Sequence, residues 1–335
     1  MERKLATVVR ISNIQPIAGA DAIELASVKG WKVVTRKNEY KVGDLAVYYE
    51  IDSFLPVAPQ FEFLRKSSYK KMGEREGFRL KTIRLRGQIS QGLLTQVPNT
   101  IFGSLKEGDD LTELLHVVKY EAPIPAQLAG KIKGSFPSFI PKTDENRIQN
   151  FESDAGFSPA GERVYVTEKL DGTSFTCYFH NGEFGVCGRN WELSESSDNT
   201  LWNMAALLDL KQKLTTLGKN IALQGELIGN GINGNHYRLR DHKLFFFTGY
   251  DIDKGQRMPF DMLEWVLFKL DLQMVPIIDS NIFLPKGDIV DYMLLMAEEK
   301  SVINNEVDRE GIVVRGLEKE FSFKAISNLY LMSEK

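Results

Sequence analysis

The sequence predicts two domains of different class, an all-β domain followed by an α+β domain. Three observations carry this. Residues 5–97 alternate apolar and polar positions in short runs separated by turn residues, with no helical stripe. Four of the twelve prolines, Pro123, Pro125, Pro137 and Pro141, crowd between residues 119 and 141. Beyond them, strand-like runs alternate with helix-like ones. A chain of 335 residues, 43% hydrophobic and 26% charged, also has the length for about two cores. The expected division is a first domain over residues 1–120, a linker over 121–140 and a second domain over 141–335.

In the first domain the strand-like runs are LATVVRI, ELASVKGWKVVTRK broken at Lys29 and Gly30, DLAVYYEI after Val42 and Gly43, FRLKTIRLRG, and GLLTQV. Five or so strands in about 100 residues suit a small barrel, of which the OB-like barrel is a common form. The period of two does not separate it from a sandwich. In the second domain, helices are expected over residues 199–217, with Asn199 or Asp198 as N-cap and Gly218 as stop, over 261–270 after Pro259, and over 288–300. The strands VYVTE, TSFTCYFH, EFGVCGR, IALQGEL, KLFFFTGYDI, GIVVRG and EFSFKA surround them, the pattern of an α+β domain.

Net charge is only −3, but residues 65–86 hold nine basic residues (Arg65, Lys66, Lys70, Lys71, Arg75, Arg79, Lys81, Arg84 and Arg86) against Glu74 and Glu76. Such a stretch can track a phosphate backbone, or it can be a solvated loop and edge strand. Apolar runs such as LFFFTGY fall far short of the roughly 20 residues that span a bilayer, and MERKLATVVR has no signal-peptide core. The expectation is an intracellular, cytoplasmic, unsecreted monomer with no membrane partner.

A two-residue turn at Asn181 and Gly182 sets Cys177 opposite Val186 and Cys187 opposite Thr176. The two thiols then point to opposite faces, and no disulfide is expected. The four histidines are scattered without ligand spacing, which argues against zinc. A literal G-x-G-x-x-G at Gly229, Gly231 and Gly234 imitates a dinucleotide fingerprint. The following NHYRLRDHK has no helical stripe, so the required strand-turn-helix context is missing.

The sharper signal is EKLDGTS at residues 168–174. Lys169 leaves a strand into an Asp-Gly turn, and Gly172 permits close approach of another group. An amine attacks only when neutral, so a lysine reacting near pH 7 needs its pKa lowered by about three units from 10.4. Burial or a divalent cation near Asp171 would supply this.

EKLDGTS, CGRN, LQGELIGNGINGNHY, FFFTGYDI, REGIVVRG and EFSFKAIS follow one another in that order. Together they resemble the motif series of the covalent nucleotidyltransferases, and the whole chain resembles the ATP-dependent RNA ligases, the fifth family of them in particular. The resemblance extends to PKTDENRIQN at 141–150. It implies an N-terminal OB domain and a C-terminal nucleotidyltransferase domain, ATP as co-substrate, Mg²⁺ or Mn²⁺, and RNA, whether nicked duplex or broken ends, as partner. Lys169 would be the nucleophile that takes AMP and passes it to an RNA 5′-phosphate, which a 3′-OH then attacks. Asp171, Glu226 and Glu310 would hold the metal, partly through water, with Glu226 alternatively on the ribose. Arg189 would grip the ribose or the 5′-phosphate; extending the hairpin register sets it opposite Ser174 and swings it back toward Lys169. Tyr250, with Phe246 on the same face, would stack on adenine. Lys324 would neutralise the α-phosphate, Arg147 would serve the outer phosphates, and Glu168 would join the nucleotide contacts. One departure is that Ser322 and Ile326 flank Lys324 where many relatives have a second lysine, so another basic residue is expected to help.

DNA ligases and capping enzymes share the lysine core but usually place an OB domain after the last motif, and only eleven residues follow Lys324. A nucleic-acid binder with an inactive nucleotidyltransferase fold is the non-enzymatic alternative. The intact set of Lys169, Asp171, Arg189, Glu226, Glu310 and Lys324 argues against it.

Overall fold

The computed structural model describes residues 3–98, 105–121 and 131–333. Pro123, Pro125 and the rest of residues 122–130 of the expected linker thus lie outside the described residues. The chain divides into two compact units: Met1–Pro123 with Ile148–Ser158 and Leu331–Lys335, and Ile124–Arg147 with Pro159–Tyr330.

In the first unit the expected strands form small antiparallel sheets. Ala6–Arg10 pairs with Leu45–Tyr49, which also pairs with Leu93–Gln96, while Asn13–Pro16, Ile23–Val28 and Trp31–Arg36 form a meander. The Lys29-Gly30 turn joins Val28 to its partner Trp31, with Lys29 at φ 51, the left-handed backbone of a tight hairpin. Two apolar clusters fill this unit, one around Leu55, Phe61 and Phe78, the other around Ile11, Trp31 and Tyr48. An enclosed indole N–H needs an acceptor. Trp31 donates to Asn150 Oδ1 at 2.7 Å, and Asn150 Nδ2 donates in turn to buried Glu50 Oε2 at 2.8 Å. These bonds account for the helix Ile148–Ala155 grouping with the first unit, although it follows the linker in sequence.

The basic stretch becomes a helical turn, Arg65–Ser68, and two hairpins, Tyr69–Met72 with Arg75–Arg79 and Thr82–Leu85 with Gln88–Gln91. Three of its cations are tied down: Arg65 to Glu62 at 2.6 Å, Lys71 to Glu76 at 2.9 Å, and Arg79 to Asp52 at 2.9 Å. Lys66, Lys70, Arg75, Arg84 and Arg86 are exposed and make no ion pair among the described residues.

The second unit holds two sheets. Seven strands run in the order Ile132–Ser135, Trp191–Leu193, Glu183–Cys187, Thr173–His180, Ile221–Ile228, Lys243–Asp251 and Gln256–Arg257. Five more run Asn146–Arg147, Ser322–Ile326, Gly311–Gly316, Arg163–Lys169 and Ile277–Phe283, antiparallel except for the first pair. Helices Thr200–Leu207, Leu210–Leu217 and Phe260–Lys269 bury Met204, Leu214 and Leu263 with Phe175, Leu223 and Phe246 of the larger sheet.

The predicted cysteine hairpin forms in the expected register, Cys177 with Val186 and Thr176 with Cys187, and both thiols are free and buried. The expected 199–217 helix is two helices. Asn199 caps the first through Leu201 N–H at 3.0 Å, but Asp209, at φ 52, breaks the rod before Leu210. Ile277–Phe283 was not foreseen as a strand; it lies along the edge of Arg163–Lys169. Among the described residues no helix is long and apolar enough to cross a membrane.

Candidate active site

The site forms where the chain passes from one sheet of the second unit to the other. Arg163–Lys169 ends in the five-stranded sheet, residues 170–172 turn, and Thr173–His180 begins in the seven-stranded sheet. Leu170 anchors this turn in an apolar cluster with Ile228, Tyr237, Phe245, Val275 and Val307. Leu170 is buried there, while Lys169 and Asp171 on either side of it stay half-exposed. Gly172 is required for space: a Cβ there would meet Leu227 O at 2.4 Å and Glu226 Cγ at 2.9 Å.

Sheet register does the rest. Lys169 pairs with Gly311, so Glu310 arrives beside it, and Lys169 Nζ donates to Glu310 Oε1 at 2.6 Å. Glu226 pairs with Ser174, which sets it alongside Gly172. Lys324 pairs with Val313 on one side and with Arg147 on the other. Arg147 thus lies beside Lys324 on the neighbouring strand, a basic residue close to where Ser322 and Ile326 offer none.

The electrostatics differ from the expectation for Lys169. Burial pushes an ammonium's pKa down, but Glu310, Glu226 and Asp171 outweigh it and hold Lys169 above the ordinary lysine range. Glu226 is displaced further. Burial, with Glu310 and Asp171 adding and Lys169 opposing, raises its carboxyl to about 8. The free protein thus stores a protonated lysine among carboxylates that resist carrying full charge together.

Those carboxylates suit a hard divalent cation. Glu310 Oε2 is buried and accepts no hydrogen bond, so it has an oxygen to spare. Among the described residues, however, no three acidic, histidine or cysteine side chains converge on one ion position. Lys169 is bonded to one of them, Glu310, and feels the charge of Glu226 and Asp171. The residues fit a cation held by one or two carboxylates, with water and phosphate oxygens completing the shell.

Several expected contacts fall elsewhere. The ladder carrying Arg189 stops at Cys187, so Arg189 sits in the turn before Trp191–Leu193 rather than in register opposite Ser174, still near enough to Glu226 for its charge to lower that carboxyl's pKa. From there it makes two 3.1 Å bonds to Asp144, whose carboxylate also lies 3.9 Å from Lys324. Tyr250 pairs with Ala222 and packs with Ile140, Tyr178 and Cys187. It lies four residues, about 13 Å, along the strand from Glu226. Phe246 does not share its face: the ladder jumps from Gln224–Thr248 to Gly225–Phe246, so Phe247 is the extra residue of a bulge and parity inverts there. Phe246 enters the core, while Phe247 packs beside the Leu170 cluster with the Arg315 guanidinium 5.7 Å from its ring. Glu168, next to Lys169 and on the opposite side of the strand, is buried and accepts from Val302 N–H at 2.8 Å.

Sequence reasoning missed Asp144, Phe247, Asn233 and Tyr237. All four lie in segments that carried a signal, PKTDENRIQN for Asp144, FFFTGYDI for Phe247 and the Gly-Asn segment for the other two, but nothing in those segments singled out the residue. Asn233 and Tyr237 belong to the false dinucleotide fingerprint, which forms a short 3₁₀ turn, Asn233–Asn235, with no phosphate-binding helix behind it.

Comparison with known proteins agrees with this architecture. A model of an OB-fold domain matches residues 5–97, which decides between the barrel and the sandwich, and an RNA ligase model matches residues 162–326. No curated protein sequence matches the chain. Among solved structures, Naegleria gruberi RNA ligase with PPi is 42% identical, with 98% of each chain covered and a TM-score of 0.89. A lysine-to-methionine mutant of that ligase with AMP and Mn is 41% identical over 98% of each chain, with a TM-score of 0.89. A glutamate-to-alanine mutant with ATP and Mn gives 41%, the same coverage and a TM-score of 0.88. With the lysine, its carboxylates and the two-domain order all present, the chain belongs to the RNA ligase family.

Proposed function

We propose that this protein joins RNA ends with ATP through a lysyl-AMP intermediate on Lys169. The observation that carries the reading is the placement of Lys169 Nζ against Glu310, with Asp171 and Glu226 beside it, in a chain similar over 98% of its length to an RNA ligase structure. The Naegleria ligase structures with ATP and Mn, with AMP and Mn, and with PPi support ATP as co-substrate.

In this reading the neutral Lys169 amine bonds to the α-phosphorus as the bond to pyrophosphate breaks. The AMP passes to an RNA 5′-phosphate, and a 3′-OH displaces it to form the phosphodiester. A bound divalent cation supplies positive charge that offsets the phosphate oxygens and the carboxylates of Asp171, Glu226 and Glu310. Lys169 sheds its proton as those carboxylates cease to favour its charged form. Lys324 and Arg147, adjacent in register, take the α- and outer phosphates. Arg189 leaves Asp144 for the ribose or 5′-phosphate. Glu226 holds either metal or ribose. Phe247 is the alternative to Tyr250 for an aromatic contact with the base, because it is only half-buried and the Arg315 guanidinium lies 5.7 Å from its ring. A direct contact of Glu168 with the nucleotide needs its carboxylate to leave Val302.

We divide the labour at the linker, with residues 1–120 contributing RNA contacts through the basic stretch and residues 141–335 the chemistry. The protein is incubated with α-labelled ATP and magnesium, then with a nicked RNA duplex. Label on the wild type, none on Lys169→Ala, and sealing of the nick are expected; an unlabelled wild type would overturn the reading.

A further inference from the structure

Residues 229–239, the glycine- and asparagine-rich segment after Glu226, touch both the turn that carries Asp171 and the stretch that leads to Glu310. Tyr237 is 1% exposed, and its hydroxyl accepts the Asp171 N–H at 2.7 Å. Asn233 Nδ2 donates to Asp171 Oδ1 at 3.1 Å and also to Gly172 O. On its other side the segment holds the stretch leading to Glu310. Asn304 Nδ2 donates to Tyr237 O at 3.1 Å, His236 Nε2 lies 2.7 Å from Asp308 O, and Arg238 pairs with Glu306 at 3.0 Å. Tyr237 and Val307 share the apolar cluster that anchors Leu170.

The segment's own backbone is built for this. Asn233 and Asn235 stand at φ 42 and 53, and Gly234 between them at φ 70, conformations open to asparagine and glycine. Asn235 locks the bend by accepting from Leu239 N–H at 2.9 Å and donating to Leu239 O at 2.8 Å. A carboxylate with one oxygen fixed by an amide presents the other in a defined direction. Such outer hydrogen bonds orient metal ligands and set their affinity.

We infer that residues 229–239 are the positioning strap of the acidic centre: Asn233 orients the Asp171 carboxylate, Tyr237 fixes its backbone, and the same strap ties it to the Glu310 loop. Neither residue touches substrate. Both act through Asp171, so the inference rests on the metal role proposed for that residue.

The test uses the full chain with Asn233→Ala and the conservative Tyr237→Phe. Mn²⁺ binding is titrated by electron paramagnetic resonance without ATP, and the Mg²⁺ and ATP dependences of lysine adenylylation are measured separately. Asn233→Ala should need about tenfold more Mn²⁺ for half-saturation. Its Mg²⁺ requirement should rise in step, while its ATP requirement at saturating metal stays close to wild type; alanine at φ 42 should lower the melting temperature only slightly. Tyr237→Phe removes only the acceptor of the Asp171 N–H. It should speed deuterium uptake at residues 170–173 and weaken Mn²⁺ in the same direction. Wild-type Mn²⁺ binding by Asn233→Ala, or equal rises in its metal and ATP requirements, would overturn the inference. An inactive wild type that binds Mn²⁺ more tightly than Asn233→Ala would overturn the proposed reaction and leave the strap standing.

Discussion

The basic stretch of the first unit and the acidic centre of the second are both dense in charge, yet they use it in opposite ways. In the stretch, Arg84 and Arg86 project into water, and the cations that are paired meet single carboxylates at the surface, where such pairs contribute about 0–1 kcal/mol. In the centre, Lys169, Glu226 and Glu310 are half-buried side by side, and each alters the protonation of the others. Exposed charges act by number and are interchangeable. Enclosed charges act as one unit, so removing any member changes the rest.

The largest expected effect comes from breaking that unit at its centre. Lys169→Ala should abolish protein-AMP formation while leaving the fold intact, read as loss of label with an unchanged melting temperature. With pre-adenylylated RNA supplied, the variant should still seal, because the last step needs no attack by the lysine on ATP. Substantial labelling of the variant would show that another residue is the nucleophile.

Next come Asp171→Ala and Glu310→Ala. Each should cut adenylylation by two or more orders of magnitude, with rising magnesium restoring only part of it. Glu310→Ala also removes the partner that holds Lys169 protonated, so its residual activity should be less steep in pH than that of the wild type. Near-normal rates at limiting magnesium would remove these carboxylates from the centre.

A smaller effect follows from Glu226. Its carboxyl in the free protein keeps a proton up to about pH 8, well above the unfolded value near 4.3. Protons therefore compete with a cation below pH 8 and cease to compete above it. Apparent Mn²⁺ affinity should climb by up to about tenfold per unit from pH 6 to 8 and then level off. Glu226→Gln should flatten this rise, and a flat wild-type titration would detach Glu226 from metal binding.

The smallest and most graded effect belongs to the basic stretch. Neutralising Lys81, Arg84 and Arg86 together should reduce the salt slope of RNA binding by up to about three, since each phosphate contact contributes about 0.9 on double-stranded nucleic acid. Arg79 is already tied to Asp52 and lies 4.5 Å from the Tyr120 ring, so neutralising it alone should change the slope less than Arg84 does. Identical slopes for the triple variant and the wild type would mean that the stretch does not hold RNA.

Local chemistry alone determined a good deal of this molecule. The Lys29-Gly30 and Asn181-Gly182 turns, the register that keeps the two thiols apart, the Asn199 cap and the Gly218 stop all depend on residues within one or two turns of each other, and all appear as expected. So did the failure of the glycine fingerprint, since no helical stripe followed it. What the tertiary structure decided depends on partners distant in sequence. Asp209 breaks a continuous helical pattern, Phe247 bulges and inverts the parity on which the Phe246 expectation rests, and the hairpin ladder ends at Cys187, so that Arg189 lies in a turn bonded to Asp144. The helix Ile148–Ala155 groups with the first unit because Trp31 and Glu50, about a hundred residues earlier, need the amide of Asn150. Above all, the motif order could name Lys169, Glu226 and Glu310, but not the protonation they impose on one another. A pKa is set by burial and by charges within a few ångströms, and only the packing of two sheets brings those charges there.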